Sequence, residues 1–279
     1  MKAAQVGAGE YDARIRRAEH LASKHPFAAE VLRFYSRVAE FQKNLYTEIT
    51  RDIASQLTSR PPGSLRSPMP SGDADLLFSR LRSFLSLIMR DGPSTLAAAA
   101  RDISQQDAVS HLALLDAYWS LGGINDHLIG AFAQFIPRAF AQPLAELLAA
   151  CTTAAPAVST VHSCPLCGGL PLLGVLRLEG DGGKRRMMCS FCLQEWDFRR
   201  IYCPACSEAD EKKLPVYVAE QFPHIRVEAC DTCKTYVRTV DLTIDGNAVP
   251  VVDDLAAIPL TLWSQERGYT RLHPNLLGT

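Results

Sequence analysis

From Phe27 onward the apolar residues Val31, Phe34, Tyr35, Val38, Phe41, Leu45, Ile49 and Ile53 recur every three or four positions. That spacing lays one apolar stripe along a single helix of about eight turns. A shorter stripe precedes it, with Ile15, Ala18, Leu21 and Ala22 inside residues 12–24. His25-Pro26 closes that segment, because the residue before a proline avoids the helical region. Arg60-Pro61-Pro62-Gly63 and Ser67-Pro68-Met69-Pro70 then read as a loop. Ser71 or Asp73 is placed to cap the next helix, whose apolar positions are Leu76, Leu77, Leu81, Phe84, Leu85 and Ile88, up to Asp91-Gly92-Pro93. A short Ala-rich helix is expected over 94–101 and another over 106–121, stopped by Gly122-Gly123. A last pair flanks Pro137 and Pro143 and ends near Ala150. Residues 1–155 therefore read as an all-α domain of about six helices.

Residues 151–163 are small and polar and read as a linker, and beyond them the period changes. Strands are expected at 171–178, 186–188, 214–219, 225–229 and 235–242, with turns at Gly180-Asp181-Gly182-Gly183 and Asp245-Gly246. The short strands carry too few bulky residues for a generous core, so something besides apolar burial must hold this half.

The chain has 279 residues, 47% hydrophobic and 21% charged, which excludes wholesale disorder. Its formal charge is −1, an unfavourable balance for wrapping nucleic-acid phosphates or coating an anionic membrane. No apolar run reaches the roughly eighteen residues of a spanning helix, so membrane insertion is not expected. The N-terminus turns charged without an apolar stretch, and a cytoplasmic location is the expectation. In a reducing compartment cysteines serve metal or redox chemistry more often than disulfides.

Eight of the nine cysteines lie after residue 163, in four Cys-x-x-Cys pairs: Cys164/Cys167, Cys189/Cys192, Cys203/Cys206 and Cys230/Cys233. Each pair aims two sulfurs at one point, and two pairs complete a tetrahedron around a metal. The economical pairing is sequential. Site one is then Cys164, Cys167, Cys189 and Cys192, and site two is Cys203, Cys206, Cys230 and Cys233. A crossed pairing with interleaved strands stays open. Proline follows the first cysteine of each first pair, at Pro165 and Pro204, so the module repeats once. A structural zinc site contributes roughly 10–16 kcal/mol, enough that this half should unfold without metal. Four thiolates accept zinc or iron with nearly one geometry, and spacing alone leans to zinc. Cys151 stands apart and reads as a small hydrophobe. His162 and His224 read as exposed loop residues.

Three activities compete. A nucleic-acid-binding zinc ribbon would use Lys184-Arg185-Arg186 and Arg199-Arg200. Residues 164–240 hold eleven Lys or Arg against ten Asp or Glu. Eight thiolates and two divalent ions then bring the region to about −3, the wrong sign for phosphate. An enzyme is disfavoured because H-E-x-x-H, G-x-S-x-G and phosphate-loop patterns are all missing and a four-cysteine site has no open position. Electron transfer at an iron tetrathiolate stays open. The third reading is a metal-stapled binding protein.

Cys164-Pro-Leu-Cys-Gly-Gly-Leu-Pro, Cys189-Ser-Phe-Cys-Leu-Gln-Glu-Trp196, Arg199-Arg-Ile-Tyr-Cys203-Pro-Ala-Cys206 and Cys230-Asp-Thr-Cys-Lys-Thr-Tyr236 resemble the formate dehydrogenase accessory proteins, the FdhE family. Asp253-Asp254-Leu255-Ala256, Glu266-Arg-Gly-Tyr269, Asn275-Leu-Leu-Gly and, upstream, Pro26, Leu32-Arg-Phe-Tyr35 and Gln42 extend the resemblance over nearly the whole chain. It implies a cytoplasmic, non-catalytic accessory protein that binds the formate dehydrogenase catalytic subunit before export. It also implies an α+β multidomain fold, with the helical domain followed by two rubredoxin-like modules at 156–200 and 201–279. All eight paired cysteines become metal ligands, with iron favoured. Only Cys167 is followed by glycine, and Ser207 stands at the matching turn of site two. Trp196 reads as core packing beside site one. Asp253-Asp254 either meet a basic partner segment or favour a helix N-terminus before Leu255.

Overall fold

The computed structural model describes residues 2–53, 71–121, 131–152, 162–180 and 182–278. The expected loop at 60–70, the stop at Gly122-Gly123, Asp181 and most of the 151–163 linker lie outside them. The helical half comprises α1 (Lys2–Lys24), α2 (Ala29–Ile53), α3 (Ser71–Asp91), α4 (Ser94–Ser104), α5 (Ala108–Leu121) and α6 (Ala131–Ala150). No helix among the described residues is long and apolar enough to cross a membrane.

Three helices differ from the sequence reading for identifiable reasons. Helix α1 begins ten residues before the 12–24 segment, and Gly7 explains how it packs there. A Cβ at Gly7 would stand 2.3 Å from the Tyr46 ring, so the missing side chain lets α1 close onto α2. Helix α5 starts at Ala108 because Asp107 caps it: its Oδ1 accepts from the Ser110 N–H at 2.8 Å. Helix α6 is one helix, not the pair expected around its prolines. Pro143 lacks the N–H that would reach the Ala139 carbonyl, and the buried Gln42 side chain takes its place, donating to that carbonyl at 2.7 Å.

After α6 come β1 (Pro171–Glu179), β2 (Gly182–Cys189), β3 (Glu195–Asp197), β4 (Val216–Ala219), β5 (Phe222–Ala229) and β6 (Thr235–Asp241), then α7 (Pro250–Ala256), α8 (Ile258–Glu266) and β7 (Thr270–Arg271). They build one sheet in the order β3-β2-β1-β6-β5-β4, with β7 also on β6. The cysteine-bearing halves join where β1 runs parallel to β6, in a register that sets Gly174 opposite Thr239. The other main pairs are antiparallel. Together the halves give the α+β arrangement expected: a helical region, then a β-rich region carrying both four-cysteine groups.

The largest core belongs to neither half alone. Phe84, Leu85, Trp119 and Phe140 from the helices share one buried cluster with Cys164, Cys189, Phe191, Cys192 and Trp196. Polar contacts reinforce both the helical half and the union. Within the helices Arg14 of α1 meets Glu146 of α6 through two 2.9 Å bonds, with Tyr11 donating to the same carboxylate at 3.1 Å, and two further arginines cross to the sheet half. Arg17 of α1 reaches Asp253 of α7 and Asp245. Arg138 of α6 donates to the carbonyls of Pro274 and Asn275, both at 2.9 Å, which pins the C-terminal tail.

Candidate metal centres

All four cysteine pairs use one backbone device. The N–H of the first cysteine donates to the carbonyl five residues on: Cys164 to Gly169 at 2.7 Å, Cys189 to Gln194 at 3.0 Å, Cys203 to Glu208 at 2.8 Å and Cys230 to Thr235 at 2.9 Å. The residue four past the first cysteine is left-handed in every case, with φ of 71° at Gly168, 54° at Leu193, 68° at Ser207 and 57° at Lys234. Glycine suits that conformation, yet three of the turns adopt it with a side chain present. The non-glycine knuckles are thus built like the glycine one, and site two has the same local frame as site one. Backbone N–H groups point at the sulfurs, with Gly169 to Cys167 at 3.4 Å, Phe191 to Cys189 at 3.3 Å and Ala205 to Cys203 at 3.4 Å.

These turns gather the sulfurs four by four in the sequential pairing, so the crossed alternative does not occur. In site one the Sγ separations are 3.7 Å for Cys164–Cys192, 3.4 Å for Cys167–Cys189 and 3.6 Å for Cys167–Cys192. In site two they are 3.7 Å for Cys203–Cys233 and 3.6 Å for Cys206–Cys230. A tetrahedron with metal–sulfur bonds of about 2.3 Å has edges of about 3.8 Å. Both donor sets fit such an ion. All eight sulfurs are free thiols.

The electrostatics point the same way. Burial pushes the Cys189 and Cys203 thiols up, whereas hydrogen bonds from Cys167, Cys189 and Cys192 hold Cys164 down. Burial also raises Cys233, but the Thr235 hydroxyl and N–H outweigh it and bring that thiol to about 7. Four sulfurs this close ionise together only around a cation, which replaces the lost solvation.

The two groups differ in setting. Site one is sealed: its cysteines are 0–4% exposed and lie in the shared core. Phe191 sits inside the Cys189 knuckle and meets Trp119 of α5 edge-on at 5.0 Å, while Gln142 of α6 donates to the Phe191 carbonyl at 3.1 Å. Site two faces outward, with Cys206 exposed and Cys233 half-buried. Sequence reasoning missed the cover over site one. Its only local signal was the aromatic residue inside Cys189-Ser-Phe-Cys192.

Other expected residues take different places. Trp196 is buried in the core beside site one. Cys151 belongs to neither group among the described residues. It packs half-buried at the end of α6, and burial raises its thiol. His162 is no loose linker residue. Its Nδ1 approaches the Pro204 carbonyl at 2.6 Å and its Nε2 the Ser207 hydroxyl at 2.8 Å, so the chain entering site one is tied to a knuckle of site two. His224 is buried in β5 and bonds Asp253 at 2.8 Å. His224, Asp245 and Asp253 have the composition of a third metal group, but the Arg17 guanidinium binds both carboxylates and supplies the positive charge there. Asp254 is fully buried between Arg238 and Arg271, with Asn275 donating to it at 3.0 Å. Asp253 does lie in the first turn of α7, where it accepts the Val249 N–H at 2.7 Å, but neither carboxylate is free to meet a basic partner segment. The basic residues 184–186 are also spent within the fold: Lys184 and Arg186 pair with Asp197, and the buried Arg185 pairs with Glu228.

Residues 163–200 match the family model described as the FdhE central domain, and residues 201–277 match the FdhE C-terminal domain. A protein FdhE homolog of Aquifex aeolicus is 25% identical over 96% of this chain and 95% of its own. One from Pectobacterium atrosepticum is 28% identical over 94% and 84%. Another, from Pseudomonas aeruginosa, is 35% identical over a shorter stretch, 41% of this chain and 38% of its own. The crystal structure of the FdhE protein from Pseudomonas aeruginosa shares the fold, with a TM-score of 0.68 at 22% identity over 97% of this chain and 95% of that one.

Proposed function

The chain belongs to the FdhE family, and on that premise we propose that it is a non-catalytic accessory protein in the formation of formate dehydrogenase. In this reading it binds the catalytic subunit in the cytoplasm before export. Cys164, Cys167, Cys189 and Cys192 hold one metal ion; Cys203, Cys206, Cys230 and Cys233 hold a second. Iron is the native ion by family resemblance, and zinc is the alternative. The observation that carries this reading is the pair of four-cysteine groups in a chain that aligns over 96% of its length with an FdhE homolog. A filled tetrathiolate leaves no position for a substrate, so each ion shapes a surface rather than activating water. Bound iron would also supply a one-electron couple. The outward setting of site two favours that electron-transfer role as the second reading, since a partner could approach Cys206 closely.

Two measurements test the proposal. Freshly isolated, untagged protein is expected to carry two metal ions per chain by elemental analysis, with a thiolate-to-iron absorption band if iron is native. The full chain is expected to co-purify with the formate dehydrogenase catalytic subunit. A metal-loaded chain that never retains the subunit defeats the accessory role, and a chain that binds no ion defeats the metal assignment.

A further inference from the structure

Site two is open on one side. Cys206 is exposed and Cys233 half-buried. Cys203 and Cys230 are buried, and beside them lies a cavity of about 290 Å³ bounded by Ile201, Tyr202, Val216 and Arg226. Among the described residues no α-helix contributes to the lining of that cavity. Site one has the opposite character. Tyr118 and Trp119 of α5 both lie against Phe191 of its knuckle, and the same cluster encloses all four cysteines. Cys192 does form part of the wall of a larger groove between α1 and the sheet, yet it is fully buried there.

A thiolate-bound ion leaves when an incoming ligand binds the ion as a metal–sulfur bond breaks, or when a proton reaches a sulfur and releases it as a thiol. Access to the ion and its sulfurs therefore sets the rate, even where the intrinsic bond strengths match. We propose that the two centres divide the labour: site one is a sealed staple joining the helical half to the sheet, and site two is the exchangeable centre, through which the chain takes up and gives away metal. This rests on the reading that both groups bind metal. The helical half lies over site one, so emptying site two leaves the shared core intact. Site two can then cycle between loaded and empty forms in a folded molecule.

The test uses the full-length chain reconstituted with zinc. Release into excess EDTA is followed with a coloured zinc indicator, while samples taken through the reaction are alkylated with iodoacetamide and mapped by mass spectrometry. Two phases are expected, one ion each, with the first about tenfold faster or more. Cys203, Cys206, Cys230 and Cys233 should be alkylated in the first phase and the other four only in the second. The Cys206→Ser/Cys233→Ser variant should lose the fast phase and keep the slow one. Release of both ions at one rate, or alkylation of Cys164, Cys167, Cys189 and Cys192 in step with the others, overturns the division. The alkylation map of the unmodified chain decides the question even if the variant fails to fold. A chain that takes up no zinc overturns the metal reading and this inference with it.

Discussion

The two cysteine modules share a sheet because Gly174 has no side chain. Strands β1 and β6 meet there in parallel, and an added Cβ would lie 2.3 Å from Thr239 Oγ1, 3.2 Å from its Cγ2 and 3.1 Å from its Cβ. Thr239 is wholly buried, so it has no free volume to retreat into. Gly174→Ala must therefore spread the strands or drive Thr239 off its rotamer. Overpacking of this kind costs about 1–3 kcal/mol. The first contact is far inside van der Waals range, so we expect about 2 kcal/mol, a fall in Tm of roughly 4–8 °C for a chain this long. The Thr239 hydroxyl has no hydrogen-bond partner among the described residues, so Thr239→Ala removes the 2.3 Å contact to Oγ1 and the 3.2 Å contact to Cγ2 without orphaning a donor, leaving only the Cβ at 3.1 Å. The double variant should recover most of the loss, giving a coupling of about 1–2 kcal/mol in a double-mutant cycle. Urea or thermal unfolding of the metal-loaded single and double variants supplies the numbers. An unchanged midpoint for Gly174→Ala, or strictly additive effects, would refute the claim that this close approach joins the modules.

Two further perturbations probe the joints between the halves. Gln42→Leu should strand the buried Ala139 carbonyl at a cost of about 1–3 kcal/mol, measured by denaturant midpoint, and the same change should be nearly neutral in a Pro143→Ala background, where the helix supplies its own N–H. Asp254→Asn should cost about 3–5 kcal/mol, because it leaves Arg238 and Arg271 buried without their carboxylate. Burial opposes ionisation of Asp254, but the two guanidiniums win and hold its carboxyl below the usual range. A depressed carboxylate stabilises above its unfolded pKa of about 3.9 and loses that contribution as pH falls through the lower folded value. The gap between the wild-type and Asp254→Asn stability curves should accordingly stay constant from neutral pH to about 5 and close below 4; a gap that is flat across that window would show that Asp254 is not the group responsible.

The parts of this molecule visible in its sequence are those set by local pattern. The stripe from Val31 to Ile49 gives α2, the short apolar runs between turns give β1, β2, β4, β5 and β6 but not the two- and three-residue strands β7 and β3, and the spacing of the cysteine pairs gives two groups of four. Other features hide because their cause is far away in the chain. Pro137 and Pro143 read as breaks, since nothing near them shows that Gln42, 97 residues from Ala139, will satisfy the freed carbonyl. The buried ion pairs of Asp253 and Asp254 escape because their partners Arg17 and Arg238 are 236 and 16 residues away and lie on other elements. Helices α7 and α8 are short and begin at prolines, so no apolar period develops before they end. The left-handed turns at Leu193, Ser207 and Lys234 escape for another reason: glycine marks such a turn when present, but its absence does not forbid one.

The asymmetry of the two centres follows from a difference between otherwise repeated modules. Both have the same knuckle hydrogen bonds, the same left-handed residue and nearly the same sulfur spacing. What separates them is the residue inside the second pair: Phe191 in site one, Thr232 in site two. Phe191 is buried and offers an apolar ring to Tyr118 and Trp119, so the helical half closes over that knuckle and excludes water. Thr232 is exposed and donates its hydroxyl to Glu208 at 2.6 Å, across to the partner knuckle of its own site, and so offers no apolar surface for a helix to cover. One local framework thus yields two environments, a sulfur cluster that serves as core and a sulfur cluster that serves as surface, and the side chain carried at the knuckle tip selects between them.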